Sequence, residues 1–211
     1  MYVDRQEAGI ELANVLGPLP ADTLILGIPR GGVVVARAVA EELGLELDVV
    51  LARKLRAPMQ PELAIGAVGP DGTPVLDERV LQAVGGVSEE YLSAETERRA
   101  SELAERQQRY RGDRAPLQVE GRTCVVVDDG IATGSTARAA LHWLKAAGAR
   151  EAILAVPVAP RRSLEELSLV ADRIVCPVVP DDFFAVGQFY RHFDQVSDDE
   201  VVRILEARAA G

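Results

Sequence analysis

Apolar and polar positions alternate along the chain in blocks, short unbroken apolar runs separated by longer amphipathic stretches. Asp4 opens a helix that reaches about Leu16, with Ile10, Ala13 and Leu16 on one side and Pro18 and Pro20 beyond its end. Thr23 to Ile28 is a short strand, closed by Pro29-Arg30-Gly31-Gly32, and a helix follows from about Val33 to Leu43, stopped by Gly44. Leu47 to Ala52 is the next strand, Arg53 to Pro61 a basic loop containing proline, and Leu63 to Val68 pairs with Thr73 to Leu76 around Pro70-Asp71-Gly72. Ser88 to Arg111 carries many charges and no breaker, which predicts one long, partly exposed helix capped by Ser88 with acids in its first turn. Thr123 to Val127 is a fully apolar strand, Asp128 to Ser135 a polar turn, and Thr136 to Ala147 a helix ended by Gly148. A strand over Ala152 to Val158, a short helix over Ser163 to Leu169, a strand over Arg173 to Val179 and a C-terminal helix with a Ser197/Glu200 capping box complete the pattern. Strands without alternation, separated by helices, imply an α/β fold: an open parallel sheet with helices on both faces.

Composition narrows what such a fold does. The 211 residues are 48% hydrophobic and 27% charged, enough for a packed core and far from the composition of a disordered chain. Lys and Arg total 23 against 33 Asp and Glu, a net charge of -10, which argues against DNA or an anionic membrane as a general partner but not against a small anion held by a local basic cluster. No apolar run approaches the roughly 20 residues of a membrane span, and Met1 to Leu12 has charges where an export signal has its apolar core. Cys124 and Cys176 sit in β-like apolar runs, as buried thiols of a reducing cytoplasm do, and two distant histidines, His142 and His192, offer no zinc cage.

The most informative segment is Cys124-Val125-Val126-Val127-Asp128-Asp129-Gly130-Ile131-Ala132-Thr133-Gly134-Ser135-Thr136. An apolar strand runs into two acids, a loop of small residues and a helix. Ligands of open parallel sheets bind beyond the carboxyl ends of the strands. A loop of Ala132, Thr133, Gly134, Ser135 and Thr136 can bring N–H groups and hydroxyls around a phosphate, with the helix dipole behind them. Two acids beside a phosphate cradle make sense if a sugar lies between, since carboxylates accept hydrogen bonds from ribose hydroxyls. An ordinary strand-to-helix turn explains neither the acids nor the loop.

This segment resembles the phosphoribosyl diphosphate signature of type I phosphoribosyltransferases: four apolar residues, two acids, two apolar residues, then a small Thr/Gly loop. Gly130 departs from it, where an apolar residue is usual. Gly27-Ile28-Pro29-Arg30-Gly31-Gly32 is similar to the family's diphosphate-binding loop, which often aims N–H groups at the ligand through a strained peptide. Ala52-Arg53-Lys54-Leu55-Arg56 gathers cations in an otherwise acidic chain and, after a second parallel strand, is placed to meet the same diphosphate. Pro61 to Ala67 resembles a subgroup of bacterial phosphoribosyltransferase-domain proteins and lies about where the family has its mobile loop, and Val179 to Gly187 looks like the base-binding hood of the purine-salvage enzymes.

The resemblance covers nearly the whole chain and implies one phosphoribosyltransferase domain over 1–211, with an inserted helix at 88–112 and a hood segment at 180–196. It implies a cytoplasmic transferase that moves the 5-phosphoribosyl group from phosphoribosyl diphosphate to a nitrogen acceptor such as a nucleobase, with Mg²⁺ as cofactor; a homo-oligomer stays open. Asp128 and Asp129 would hold the ribose hydroxyls and, directly or through water, the metal. Ala132, Thr133, Gly134, Ser135 and Thr136 would hold the 5′-phosphate; Arg30, Gly31, Gly32, Arg53 and Lys54 the diphosphate; and Phe184 would stack on the base. Ala132 replaces the acid of the hypoxanthine and guanine enzymes, and Val156-Pro157-Val158 lacks their purine-reading lysine, so the acceptor is open. Two other readings stand beside this one: a regulator that senses phosphoribosyl diphosphate or a nucleotide on the same fold without turnover, and an unrelated α/β sugar-phosphate enzyme, for which the Arg30 and Lys54 clusters would be accidental.

Overall fold

The structure is a computed structural model that describes residues 1–209. Five strands form the main sheet: β1 (Leu24–Gly27), β2 (Glu46–Val49), β6 (Thr123–Val127), β7 (Glu151–Ala155) and β8 (Arg173–Val175), all parallel and ordered β2-β1-β6-β7-β8. The chain builds outward from β1 to β2 on one side and from β6 to β8 on the other. The order therefore reverses between β1 and β6, and such a switch point opens a crevice beyond the strand ends.

The apolar strands do not alternate because both faces are covered. Ile25, Val125, Val127, Ile153 and Ala155 pack in one cluster; Leu24, Leu26, Cys124, Val126, Ala152 and Leu154 pack in the other, and all are buried. Helices α1 (Arg5–Leu16), α2 (Gly31–Leu43) and α7 (Asp198–Ala209) cover the first face, and α5 (Ser135–Ala146) with α6 (Arg161–Leu167) the second. Asp4 caps α1, its carboxylate accepting from the Glu7 N–H at 2.9 Å, and the Glu200 N–H donates to Ser197 Oγ at 3.1 Å at the start of α7.

The segment from 53 to 112 differs from the sequence expectation. Strand β3 (Arg53–Ala57) stands where a basic loop was expected, paired antiparallel with β4 (Gln60–Val68), which pairs in turn with β5 (Pro74–Leu76). The cationic run hides a strand because Leu55 and Ala57 point into the core while Arg53, Lys54 and Arg56 stay half-buried. Pro61 is tolerated because the β3/β4 register shifts around it, from Ala57↔Gln60 to Arg56↔Ala64. A short helix, α3 (Glu78–Ala83), was not expected; Asp77 caps it, accepting from the N–H groups of Arg79 and Val80. Helix α4 (Glu89–Arg111) fulfils the long-helix expectation, with Ser88 Oγ accepting from the Tyr91 N–H at 3.2 Å. Elsewhere α2 starts two residues earlier than expected, at Gly31, and α6 likewise, at Arg161. Strand β8 ends at Val175 rather than Val179, because Pro177 has no N–H to continue the ladder; Val178 keeps an isolated bridge to Val158.

Candidate active site

The two loops singled out in the sequence leave neighbouring strands at the switch point. Gly27 of β1 is in register with Val127 of β6, and the Ile28 N–H still donates to the Val127 carbonyl at 2.8 Å. One residue further, the chain turns into Pro29-Arg30-Gly31 on one side and Asp128-Asp129 on the other. The Pro29–Arg30 peptide bond is cis. Glycine is needed here for close approach: a Cβ on Gly31 would overlap the Asp129 carboxylate, and one on Gly32 would stand 2.7 Å from the Val127 carbonyl and 2.8 Å from Asp128 Cα. The candidate diphosphate loop and the acid pair are thus in contact.

The acid pair is electrostatically loaded. Burial, and then the neighbouring Asp129 charge, push the Asp128 carboxyl well above the usual carboxylate range, against the hydrogen bond it accepts from the Asp129 N–H at 2.9 Å. Burial also raises Asp129, opposed by Arg5, whose Nε donates to Asp129 Oδ2 at 2.8 Å. Sequence reading missed Arg5. It comes from the first turn of α1, its guanidinium also donates to the Asp194 carbonyl at 2.8 Å, and it lies 3.9 Å over the ring of Phe193. Tyr190, also missed, donates from its hydroxyl to the Asp129 carbonyl at 2.6 Å and packs between Tyr2 and Phe193. These partners lie 124 and 61 residues from Asp129 in the chain, and no local spacing signals them.

The small loop behaves as a cradle. Ala132 and Thr133 are exposed and Ser135 and Thr136 half-exposed. Gly134 has φ 70°, and a Cβ there would press to 2.7 Å of Leu167, so the turn into α5 requires glycine. The Ala132 carbonyl is tied down by Ser163 Oγ at 2.6 Å, and Thr133 Oγ1 lies 3.2 Å from Ser135 Oγ. The first-turn N–H groups of α5 have no intrahelical partner by helix geometry, and no acid sits in that turn.

Arg53 and Lys54 reach the same end of the sheet, because β2 leads through Val50, whose N–H donates to the Gly27 carbonyl at 3.1 Å, into β3. Both line a cavity with Ser135 and Thr136 of the cradle. Phe184 is placed differently from the other predicted residues: it is 88% exposed, and the hood aromatic that touches the acid pair is Tyr190, with Phe193 packed against Tyr190 and Arg5. Where the hypoxanthine and guanine enzymes carry their lysine, Val156 and Val158 are fully buried.

As a metal site, the acid pair offers hard oxygen donors whose mutual repulsion a cation relieves. Among the described residues no group of three or more His, Cys, Asp or Glu forms a cage. The residues therefore fit Mg²⁺, which is held by one or two carboxylates together with substrate phosphates, rather than a metal enclosed by protein.

Comparison with known proteins agrees with this geometry. The phosphoribosyl transferase domain model matches residues 20–194. Two Mycobacterium tuberculosis proteins, of strains CDC 1551/Oshkosh and H37Rv, each carry the name "Putative phosphoribosyl transferase" and are 44% identical over 207 residues, 98% of this chain and 46% of theirs. The chain thus spans about half the length of these relatives. The crystal structure of TT1426 from Thermus thermophilus shares 45% identity, covers 97% of both chains and superposes with a TM-score of 0.90. The expected type I phosphoribosyltransferase fold is the fold of this chain, and the chain belongs to the phosphoribosyl transferase domain family.

Proposed function

We propose that this domain transfers the 5-phosphoribosyl group of phosphoribosyl diphosphate to a nitrogen acceptor and releases diphosphate. The observation that carries the reading is the meeting of the Asp128–Asp129 pair, the Gly31–Gly32 loop and the small-residue cradle at one switch point. Ala132 to Thr136 hold the 5′-phosphate with backbone N–H groups and hydroxyls. Asp128 and Asp129 accept hydrogen bonds from the ribose hydroxyls, with Arg5 as the ion-pair partner of Asp129. Arg30, the amides of Gly31 and Gly32, and Arg53 with Lys54 bind the diphosphate. The bond from C1 to the diphosphate oxygen breaks, the bond from C1 to the acceptor nitrogen forms, and the nitrogen's proton leaves to solvent. The Asp128 and Asp129 carboxylates would hold Mg²⁺, which would supply charge neutralisation for the diphosphate. No histidine adjoins the acid pair among the described contacts, so positioning and charge stabilisation carry the rate.

The acceptor reading follows from what the site lacks. Val156 and Val158 are buried and carry no side-chain donor, and Ala132 is no acid, so hypoxanthine and guanine are poor acceptors, slower than the true one by about 10³-fold. Phe184, exposed at the hood, is free to stack on any flat ring. The test is a panel of nucleobases incubated with phosphoribosyl diphosphate and Mg²⁺, with products identified by mass. Nucleotide formed from adenine or a less common base is the expected result. Tight phosphoribosyl diphosphate binding with no turnover on any base would make the domain a sensor on the same fold. Conversion of hypoxanthine with kcat/KM on the order of 10⁵ M⁻¹s⁻¹ would overturn the acceptor reading.

A further inference from the structure

Arg5 opens α1 and lies 124 positions in sequence from the carboxylate it holds. Its side chain is 11% exposed, and three contacts fix the guanidinium from different directions. Nε donates to Asp129 Oδ2 at 2.8 Å, Nη1 donates to the Asp194 carbonyl at 2.8 Å, and the guanidinium carbon lies 3.9 Å over the Phe193 ring. The two segments that carry these partners are tied by their main chains. The Tyr2 N–H donates to the Phe189 carbonyl at 2.8 Å, and the N–H groups of Arg191 and His192 donate to the Tyr2 and Val3 carbonyls, each at 2.9 Å. Asp129 is held from a second side, where the Tyr190 hydroxyl donates to its main-chain carbonyl. Gly31 closes a third: a Cβ there would stand 1.9 Å from Asp129 Oδ2 and 2.9 Å from Arg5 Nε. One carboxylate oxygen is thus spent on Arg5 and pressed against the Gly31 backbone, while Oδ1 takes no hydrogen bond from another of the described residues. The start of α1 is already fastened by the Asp4 cap and the main-chain bonds, so the helix does not need the Arg5–Asp129 contact to stay in place.

We infer that Arg5 is a positioning residue of the ribose clamp: it pins one oxygen of Asp129 so that the other is presented in a fixed direction to a ribose hydroxyl. The inference rests on the proposed ribose role of Asp129 and extends that role to a residue outside the strand-end loops. An aspartate left free to rotate must be ordered when the sugar arrives, and the cost of ordering it comes off the affinity; one that is pinned beforehand avoids that cost. Charge alone does not do this. A planar, forked guanidinium meets a carboxylate, a carbonyl and a ring face together, and a lysine ammonium does not. The seat of Arg5 is built from residues 2–5 and 189–194, so the hood and the N-terminal segment act on the ribose acid through this one side chain.

The test is calorimetric titration of the full chain, in magnesium-free buffer, with ribose 5-phosphate and separately with diphosphate. Arg5→Met should weaken ribose 5-phosphate about fivefold or more and change diphosphate affinity less than about twofold, the unchanged ligand showing that the fold is intact. Arg5→Lys keeps the charge and should recover little of the loss. In an Asp129→Ala background, Arg5→Met should cost less than about a further twofold, because nothing remains for Arg5 to position. Wild-type ribose 5-phosphate affinity in Arg5→Met, or full recovery in Arg5→Lys, would overturn the inference. So would equal losses for the two ligands, or an undiminished loss in the Asp129→Ala background, since either means that Arg5 serves the fold alone. Each of these results leaves the ribose role of Asp129 standing if Asp129→Ala by itself weakens ribose 5-phosphate. Wild-type affinity in Asp129→Ala would instead remove Asp129 from the clamp, and the role of Arg5 with it.

Discussion

The five-stranded sheet and the 53–112 segment solve the same problem by opposite means. The sheet is held by apolar burial on both faces: Ile25, Leu26, Val126, Ile153 and Leu154 are fully buried, and no charged side chain enters β1, β6 or the inner part of β7. The other segment is held largely by charge. Helix α4 buries Glu95, Arg99 and Arg111, the first paired with Arg98 and Arg99 and the last donating to both oxygens of Asp48 on β2. Burial pushes the Glu95 carboxyl up, but the hydrogen bonds from Arg98 and Arg99 outweigh it and hold it below its ordinary value. The difference teaches where a site can be put. A rigid apolar frame tolerates an uncomfortable acid pair at its strand ends, while an ion-paired helix keeps cations close to the ligand at little cost in apolar surface.

That contrast should show first in stability. Leu154→Ala removes a fully buried side chain from the sheet's α5 face and should cost about 2–5 kcal/mol in chemical denaturation. Glu95→Gln keeps the shape of the α4 anchor but weakens its charged hydrogen bonds, and should cost about 1–3 kcal/mol. High salt should leave the Leu154→Ala cost unchanged and shrink that of Glu95→Gln only slightly, because Glu95 is buried. A cost for Glu95→Gln equal to that of an exposed pair such as Arg162–Glu166 would erase the distinction between the regions.

The same contrast explains what the sequence made legible. Uninterrupted apolar runs identified β1, β6 and β7, and the acid pair with its small-residue loop identified the cradle, because these depend on local pattern. Strand β3 was illegible: the alternation of Leu55 and Ala57 is masked by Arg53, Lys54 and Arg56, whose half-buried places come from α4 and the start of α5. Arg5, Tyr190 and Phe193 were illegible for a different reason. Arg5 and Tyr190 reach Asp129, and Phe193 packs against both, only when both chain ends fold over the sheet, as the Tyr2↔Tyr190 bridge shows. Arg99 looked like one more charge on a solvated helix, and only its burial against Glu95 separates it from its neighbours.

At the strand ends the comparison becomes one of function against fold. Asp129→Asn should weaken phosphoribosyl diphosphate binding about tenfold or more in calorimetry, the worth of a charged hydrogen bond. Its melting temperature should move by only about one or two degrees, since the carboxylate it replaces is raised by burial and contributes little to folding. Unchanged affinity would take Asp129 out of the ribose clamp. Arg30→Ala should weaken phosphoribosyl diphosphate and diphosphate far more than ribose 5-phosphate, and equal losses for all three would separate Arg30 from the diphosphate.

The smallest effect is the slope of stability with pH, and it tests whether the frame really carries an unfavourable acid pair. Asp128 is raised well above its ordinary value by burial and by Asp129, so the folded state holds its proton to higher pH than the unfolded chain, whose aspartates titrate near about 3.9. Between those two values the folded state binds more protons than the unfolded one, so stability falls as pH rises through that window. Below the unfolded value both states are protonated at this position, and it no longer contributes to the slope. Asp128→Asn removes the titrating group. The variant should therefore match wild type near about pH 4 and be the more stable of the two near about pH 7.5, as read from urea midpoints in metal-free buffer. Most groups with a clear downward shift, such as Asp22, Asp172 and Asp198, have basic partners and give the opposite slope in both proteins, so the difference between the two curves isolates the Asp128–Asp129 pair. A variant less stable than wild type at the higher pH would mean that the Asp128 carboxylate supports the fold, and that the sheet end is not the tolerant frame described here.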